Sequence, residues 1–177
     1  MADVRPFAGW RFDPRLVELG RVLCPPYDVI SPSQARSLRR RPFNAVRLEL
    51  PEGSGSARDR GALRVWQSWV RAGILKRDQE PSFYVCEERF KTPAGWRRRR
   101  GILAGLGVGP VASRFVLRHE RTLSKPKADR ARLLAAVRVN ISPIFGIFPD
   151  PSARVRRVIA EAGRKAPVAR GRTDEGV

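Results

Sequence analysis

The sequence predicts an α+β fold, a mixed and largely antiparallel sheet packed with three to four helices. Three observations carry that expectation. Residues 58–72 place Ala62, Leu63, Trp66, Trp69 and Val70 at helical spacing, with Gly73 set to end the helix. Residues 83–90 and 96–108 read as two strands meeting at the turn Thr92-Pro93-Ala94-Gly95. Helical and extended segments follow one another in irregular order, and no internal repeat is visible.

The elements can be justified in turn. Arg5 to Phe12, with aromatics at 7, 10 and 12, reads as a short strand ending at Asp13-Pro14. Leu16, Val17 and Leu19 suggest a helical turn stopped by Gly20, and Val22-Leu23-Cys24 is a brief apolar run. Pro25-Pro26-Tyr27-Asp28 must leave regular structure, because neither proline has an N–H to donate. Ser31-Pro32-Ser33-Gln34 has the form of a capping box with proline at the first helical position, opening a helix to about Arg40 that ends before Pro42. In Asn44 to Leu50, Val46, Leu48 and Leu50 alternate with Arg47 and Glu49, the signature of a half-buried strand. Pro51 to Ser56 reads as a flexible loop. Trp66 and Trp69 read as core, since aromatic stripes on helices pack inward. A helix is predicted from about Lys127 to Val139 on Leu133, Leu134 and Val137, ending near Asn140. Ile144 to Phe148 is wholly apolar and reads as a buried strand. A last helix starts at Asp150-Pro151, turns Val155, Val158, Ile159 and Ala162 inward, and stops at Gly163.

Length and composition exclude several classes. With 177 residues, 42% apolar and 30% charged, the chain suits one ordinary domain and not a disordered polymer. Its apolar runs fall far short of the roughly 20 residues of a membrane span. The opening residues lack the apolar stretch of a signal peptide, so a soluble, cytoplasmic protein is expected. Cys24 and Cys86 are too far apart to form a metal or redox motif.

The charge is strongly positive, +19, and of 36 basic residues 31 are Arg. A GC-rich genome produces such a skew, so its distribution says more than its total. Residues 95–132 hold 11 basic and 2 acidic side chains, nearly half of the excess. A local field of that kind suits phosphate, on a nucleotide or on a nucleic acid, although a solvated basic face gives the same pattern. Arg97 to Arg100 lie on a strand, where consecutive side chains alternate faces, so only about half can point one way.

Motifs narrow the chemistry. Gly105, Gly107 and Gly109 hint at a phosphate loop, but Pro110 stands where the third fingerprint glycine belongs and no helix pattern opens there. No P-loop motif occurs either, so the dinucleotide reading is discarded. The one histidine, His119, lies in RHERTLSKPKADR, beside Glu120 and close to Thr122, Ser124, Lys125, Lys127, Asp129 and Arg130. A histidine next to a carboxylate can carry a proton, and nearby Arg, Lys, Ser and Thr can bind phosphoryl oxygens. The stretch enters a helix, whose free N–H groups favour anions. The alternative is an ordinary basic loop. One histidine, distant cysteines and scattered carboxylates do not make a metal site, and nothing points to a Ser–His–Asp triad.

Several stretches together resemble the N-terminal half of a bacterial and archaeal family, domain of unknown function 1015. In order they are RPFAGWRFDP, CPPYDVISP, PFNAVRLELPEG, FYVCEERF with RRRRGILAG, RHERTLSKPKADRARLLAAVRVN, and ISPIFGIFPD, running from Arg5 to Asp150. Longer members continue into an Asp-Gly-His-His-Arg segment similar to that of ParB-like free-serine kinases. Those enzymes transfer phosphate from a nucleotide to a small metabolite's hydroxyl. This sequence has no second histidine and lacks that segment. The resemblance therefore implies three parts: residues 1–150 as one α+β domain, 151–163 as a helix leading toward a missing C-terminal half, and 164–177 as a polar, disordered tail. Two departures stand inside the match, Arg118 in place of Pro and Val137 in place of Thr.

Carried over residue by residue, the resemblance implies site-lining roles for Tyr27 and Asp28 in the proline-stiffened turn, which reads equally as a purely structural turn. His119 and Glu120 become catalytic candidates. Thr122, Lys127, Arg130 and Arg47 become phosphate or nucleotide contacts, with a surface Arg47–Glu49 pairing as the plainer alternative, and Asn140 as a helix cap. The implied activity is the phosphate-binding part of a kinase for a serine-like hydroxyl, inactive alone if the chemistry needs the absent segment. ATP or ADP with Mg is its implied cofactor. Its implied partners are a nucleotide or phosphorylated small molecule and a separate C-terminal half, with no membrane. The competing expectation is a basic nucleic-acid-binding module, from Phe83, Tyr84 and Trp96 beside Arg97 to Arg100.

Overall fold

In the computed structural model, which describes residues 2–110, 114–117 and 124–173, helices and short antiparallel ladders mix in an α+β organisation, as the sequence predicts. The elements are β1 (Val4–Arg5), β2 (Trp10–Phe12), α1 (Leu19–Val22), α2 (Pro32–Arg39), α3 (Val46–Glu49) and α4 (Gly55–Arg71). There follow β3 (Leu75–Arg77), β4 (Tyr84–Thr92), β5 (Gly95–Leu103), β6 (Gly105–Leu106), α5 (Ser124–Val137) and α6 (Arg154–Ala162). The described strands form three two-stranded ladders, β1–β6, β2–β3 and β4–β5, instead of one continuous sheet. The chain forms two compact units. One comprises Met1–Trp10, Arg77–Arg118 and Ile144–Val177; the other comprises Arg11–Lys76 and His119–Pro143.

The second, helical unit is built on the predicted apolar stripes. Ser31 caps α2 as expected: its hydroxyl accepts from the Gln34 N–H at 3.2 Å while the Gln34 side chain accepts from the Ser31 N–H. Ala35 and Leu38 face inward and pack with Val46, Cys24, Ile30 and Leu50. On α4, Trp69 is 5% exposed and packs with Leu48, Ile74, Leu75, Phe12 and Phe43. Truncating it would cost about 3–5 kcal/mol. Ala62 on α4 packs against Leu133 and Val137 of α5, with Trp66 alongside. Gly73 ends the α4 region at φ +70°, a left-handed conformation that favours glycine. The helix begins at Gly55, inside the predicted loop, where Gly53 and Gly55 at φ +92° and +53° permit a tight entry.

Residues 44–50 correct the predicted strand. They form the short helix α3, because the Asn44 side chain organises the backbone locally. Its amide donates to the Arg21 and Leu23 carbonyls at 2.7 and 2.8 Å and its oxygen accepts from the Val46 N–H at 3.0 Å. The alternation is real but serves another end: Val46 and Leu48 enter two different core clusters. Nearby, α1 contains Gly20 within it instead of stopping there. Beyond α5, Arg138 at φ +57° reverses the chain so that Ile141 returns to the core.

The other unit centres on the β4–β5 hairpin, whose register runs from Tyr84↔Leu103 to Thr92↔Gly95. The turn is the predicted one, with Gly95 at φ +102° and its carbonyl accepting from the Thr92 hydroxyl at 2.9 Å. The strand predicted to run to Val108 instead ends at Leu103, and β6 leaves to pair with β1. The predicted first strand is broken at Gly9, whose N–H donates to the Tyr84 hydroxyl at 2.7 Å; that hydroxyl donates to Asp78 at 2.7 Å. A Cβ at Gly9 would meet the Tyr84 ring at 2.9 Å, so the contact requires glycine. Helix α6 carries Ile159 inward as expected, but Val158 is 62% exposed and not part of the core. Asp150 accepts from the N–H groups of Val155 and Arg156, which lowers its pKa. The predicted buried strand at 144–148 does not form. Ile144 and Ile147 are more than four-fifths exposed, because an apolar run supplies no backbone partner for a ladder by itself.

Candidate functional site

Within the helical unit, the PPYD turn and helix α5 meet. The Val29 N–H bonds to the Pro26 carbonyl at 3.2 Å, which makes Tyr27 and Asp28 the corner residues of a turn that two prolines precondition. The Tyr27 ring is half-buried, and the Arg130 guanidinium of α5 lies over it, 4.3 Å from the centroid. Asp28 is exposed.

Arg130 is also tied to the end of α3. It donates to the Glu49 carbonyl at 2.8 Å and approaches the Glu49 carboxylate at 3.5 Å, while its Nε is buried with no hydrogen-bond partner among the described residues. The Glu49 carboxylate accepts from the Ser142 hydroxyl at 2.6 Å, which fixes the chain beyond α5. Two segments distant in sequence thus meet at one arginine, and a third is tied to them through Glu49.

A second network binds α4 to α5. Arg58 pairs with Asp129 at 2.8 Å and with Asp59 at 3.0 Å, and Arg132 bridges the same two carboxylates. Hydrogen bonding from Arg58 holds the Asp129 carboxyl below its ordinary range, against an opposing effect of burial. Arg58, Arg130 and Arg132 are therefore balanced by Asp59, Asp129 and Glu49. Lys127, one turn before Arg130, is exposed and forms no ion pair among the described residues.

Arg47 goes elsewhere than its predicted strand face. It sits on α3 and donates to the Arg39 carbonyl, while Arg39 donates to the Leu50 carbonyl, so the pair locks the end of α2 to α3. The expected pairing of Arg47 with Glu49 is replaced by Arg130–Glu49. His119, Glu120 and Thr122 lie outside the described residues. Sequence reading missed Glu49, Ser142, Arg58 and Asp59; only the burial of Asp59 at 5%, on a helix face with Ala62, could have marked it, and burial is not visible in a sequence.

Cys24 opens the segment leading to this turn. Burial, with a further contribution from Glu49, pushes its thiol up to about 12, so it offers no thiolate nucleophile at neutral pH. Among the described residues no group of three metal-ligating side chains occurs, and the Glu49, Asp59 and Asp129 carboxylates are engaged by arginines. No described helix is long and apolar enough to cross a membrane.

The architecture is that of an α+β protein in which a proline-stiffened turn is held against a basic helix. Its family follows from a direct comparison: the model of DUF1015, described as a protein of unknown function, matches residues 4–177, and the chain belongs to that family. No curated protein and no solved structure matches it.

Proposed function

We propose that this protein is the phosphate- and nucleotide-binding part of a cytoplasmic small-molecule kinase acting on a serine-like hydroxyl. The observation that supports the reading is the Tyr27–Arg130 contact, which joins the PPYD turn to the helix that follows directly on the HERT stretch. Transfer of a terminal phosphoryl group to a hydroxyl needs a proton acceptor and cations for the phosphoryl oxygens. In this reading His119 with Glu120 takes the proton, and Thr122 with Lys127 binds phosphate, with Mg arriving on the nucleotide. Arg130, already balanced by Glu49, positions the turn and leaves Lys127 as a cation with no ion pair among the described residues.

Calorimetry with ATP or ADP in the presence of Mg tests this. Wild type should bind, and His119→Ala and Lys127→Ala should each weaken binding about tenfold or more, as loss of a charge-assisted contact does. Equal heats in all three proteins, or none in wild type, would overturn it.

A further inference from the structure

The β4–β5 hairpin carries a feature that this reading does not use. Its register places Lys91 opposite Trp96, Arg89 opposite Arg98 and Glu87 opposite Arg100, so these six share one face of the ribbon. The hairpin as a whole holds six basic and two acidic side chains. Both carboxylates are already taken. Glu87 accepts from Arg100 at 2.6 Å, with Arg98 at 3.9 Å, and is held below its usual pKa by that bond; Glu88 pairs with Arg99. Arg89, Lys91 and Arg97 are left with no ion pair among the described residues. Trp96 is 54% exposed, with the Arg89 guanidinium 6.0 Å from its ring. A shallow cleft of about 340 Å³ is lined by Glu87, Arg89, Trp96, Arg97 and Arg98.

We propose that this face of the hairpin binds single-stranded nucleic acid, with Trp96 stacking on an unpaired base and Arg89, Lys91 and Arg98 contacting successive phosphates. The charge complementarity is direct, since Arg89 and Lys91, without an ion pair among the described residues, flank an exposed indole. Same-face residues of a strand are roughly 7 Å apart, which lets neighbouring cations follow an extended backbone. The indole selects the single strand: in a duplex the base faces are already stacked and the ring has nothing to cover. This surface is independent of the phosphate site proposed above, and either can fail without the other.

The test is fluorescence anisotropy of a labelled twelve-nucleotide oligothymidylate against the full chain over a salt series, with a duplex of equal length beside it. Three phosphate contacts predict a slope of log K against log salt near about −2, and Arg89→Ala/Lys91→Ala should reduce it by about 1.4. Trp96→Ala should weaken binding about tenfold at unchanged slope, with circular dichroism checking that each variant folds. Lys127→Ala should bind the oligonucleotide as wild type does. Absence of binding at low salt, duplex binding as tight as single-strand binding, or indifference to Trp96→Ala in a folded variant would each overturn the proposal.

Discussion

The Arg130 guanidinium of α5 covers the Tyr27 ring of the PPYD turn at 4.3 Å while one of its nitrogens donates to the Glu49 carbonyl at 2.8 Å. One side chain thus holds a turn, the end of a short helix and a long helix together. Arg130→Ala removes the ring contact and takes from Glu49 its arginine, leaving the Ser142 hydroxyl as its side-chain partner among the described residues, and should cost about 2–4 kcal/mol in urea unfolding. A double-mutant cycle with Tyr27→Leu should show a coupling of about 1 kcal/mol; strict additivity would mean that the stacking carries no energy.

Asn44, wholly buried, satisfies two carbonyls and one N–H of the neighbouring backbone. Asn44→Ala strands all three and should destabilise the helical unit by about 2–4 kcal/mol, with loss of helical circular dichroism from α3. Asn44→Asp retains the acceptor but not the donor, and should be at least as damaging. A stable, wild-type-like Asn44→Ala protein would show that residues 44–50 are organised by their core contacts alone.

Acid should unfold the protein through its paired carboxylates. Arg58 holds Asp129 below the ordinary value of 3.8, and Arg15 with Lys76 holds Asp13 lower still. A carboxyl whose pKa is depressed on folding stabilises the protein fully above its unfolded pKa and loses that contribution as pH falls toward the folded one. The urea midpoint should therefore be flat from neutrality to about pH 5 and drop steeply below about pH 4. Asp129→Asn should lower the plateau and flatten the drop. An equally steep drop in that variant would assign the acid transition to other groups.

The two thiols should differ in reactivity. With its pKa near 12, Cys24 exposes about one thiolate in ten thousand at pH 8, whereas Cys86 is raised less and lies exposed on the hairpin. Labelling with a disulfide reagent should modify Cys86 first and Cys24 only after denaturant is added. Rapid modification of both in the native protein would contradict the burial of Cys24.

Where local chemistry is sufficient, the sequence was readable. The capping box at Ser31, the glycine after α4, the Trp69 stripe and the turn at Gly95 all form as predicted, because each is decided within a few neighbouring residues. The segment 44–50 mimics a strand because period-2 burial arises whenever alternate residues feed two separate cores, and a four-residue helix can do that as well as a strand. The run 144–148 departs from the predicted strand for a related reason: hydrophobicity favours burial but does not supply a ladder partner.

At the candidate site, sequence alone determined which segments carry unusual chemistry: the PPYD turn, the basic entry to α5 and the arginine run of β5. Tertiary structure alone decided how their charges are used. It set Arg130 over Tyr27 and against Glu49, turned Arg47 to a backbone carbonyl, and left Lys127, Arg89 and Lys91 without an ion pair among the described residues. The reason is physical: residue type fixes the presence of a charge, but its availability depends on which opposite charge or dipole the fold brings within a few ångströms.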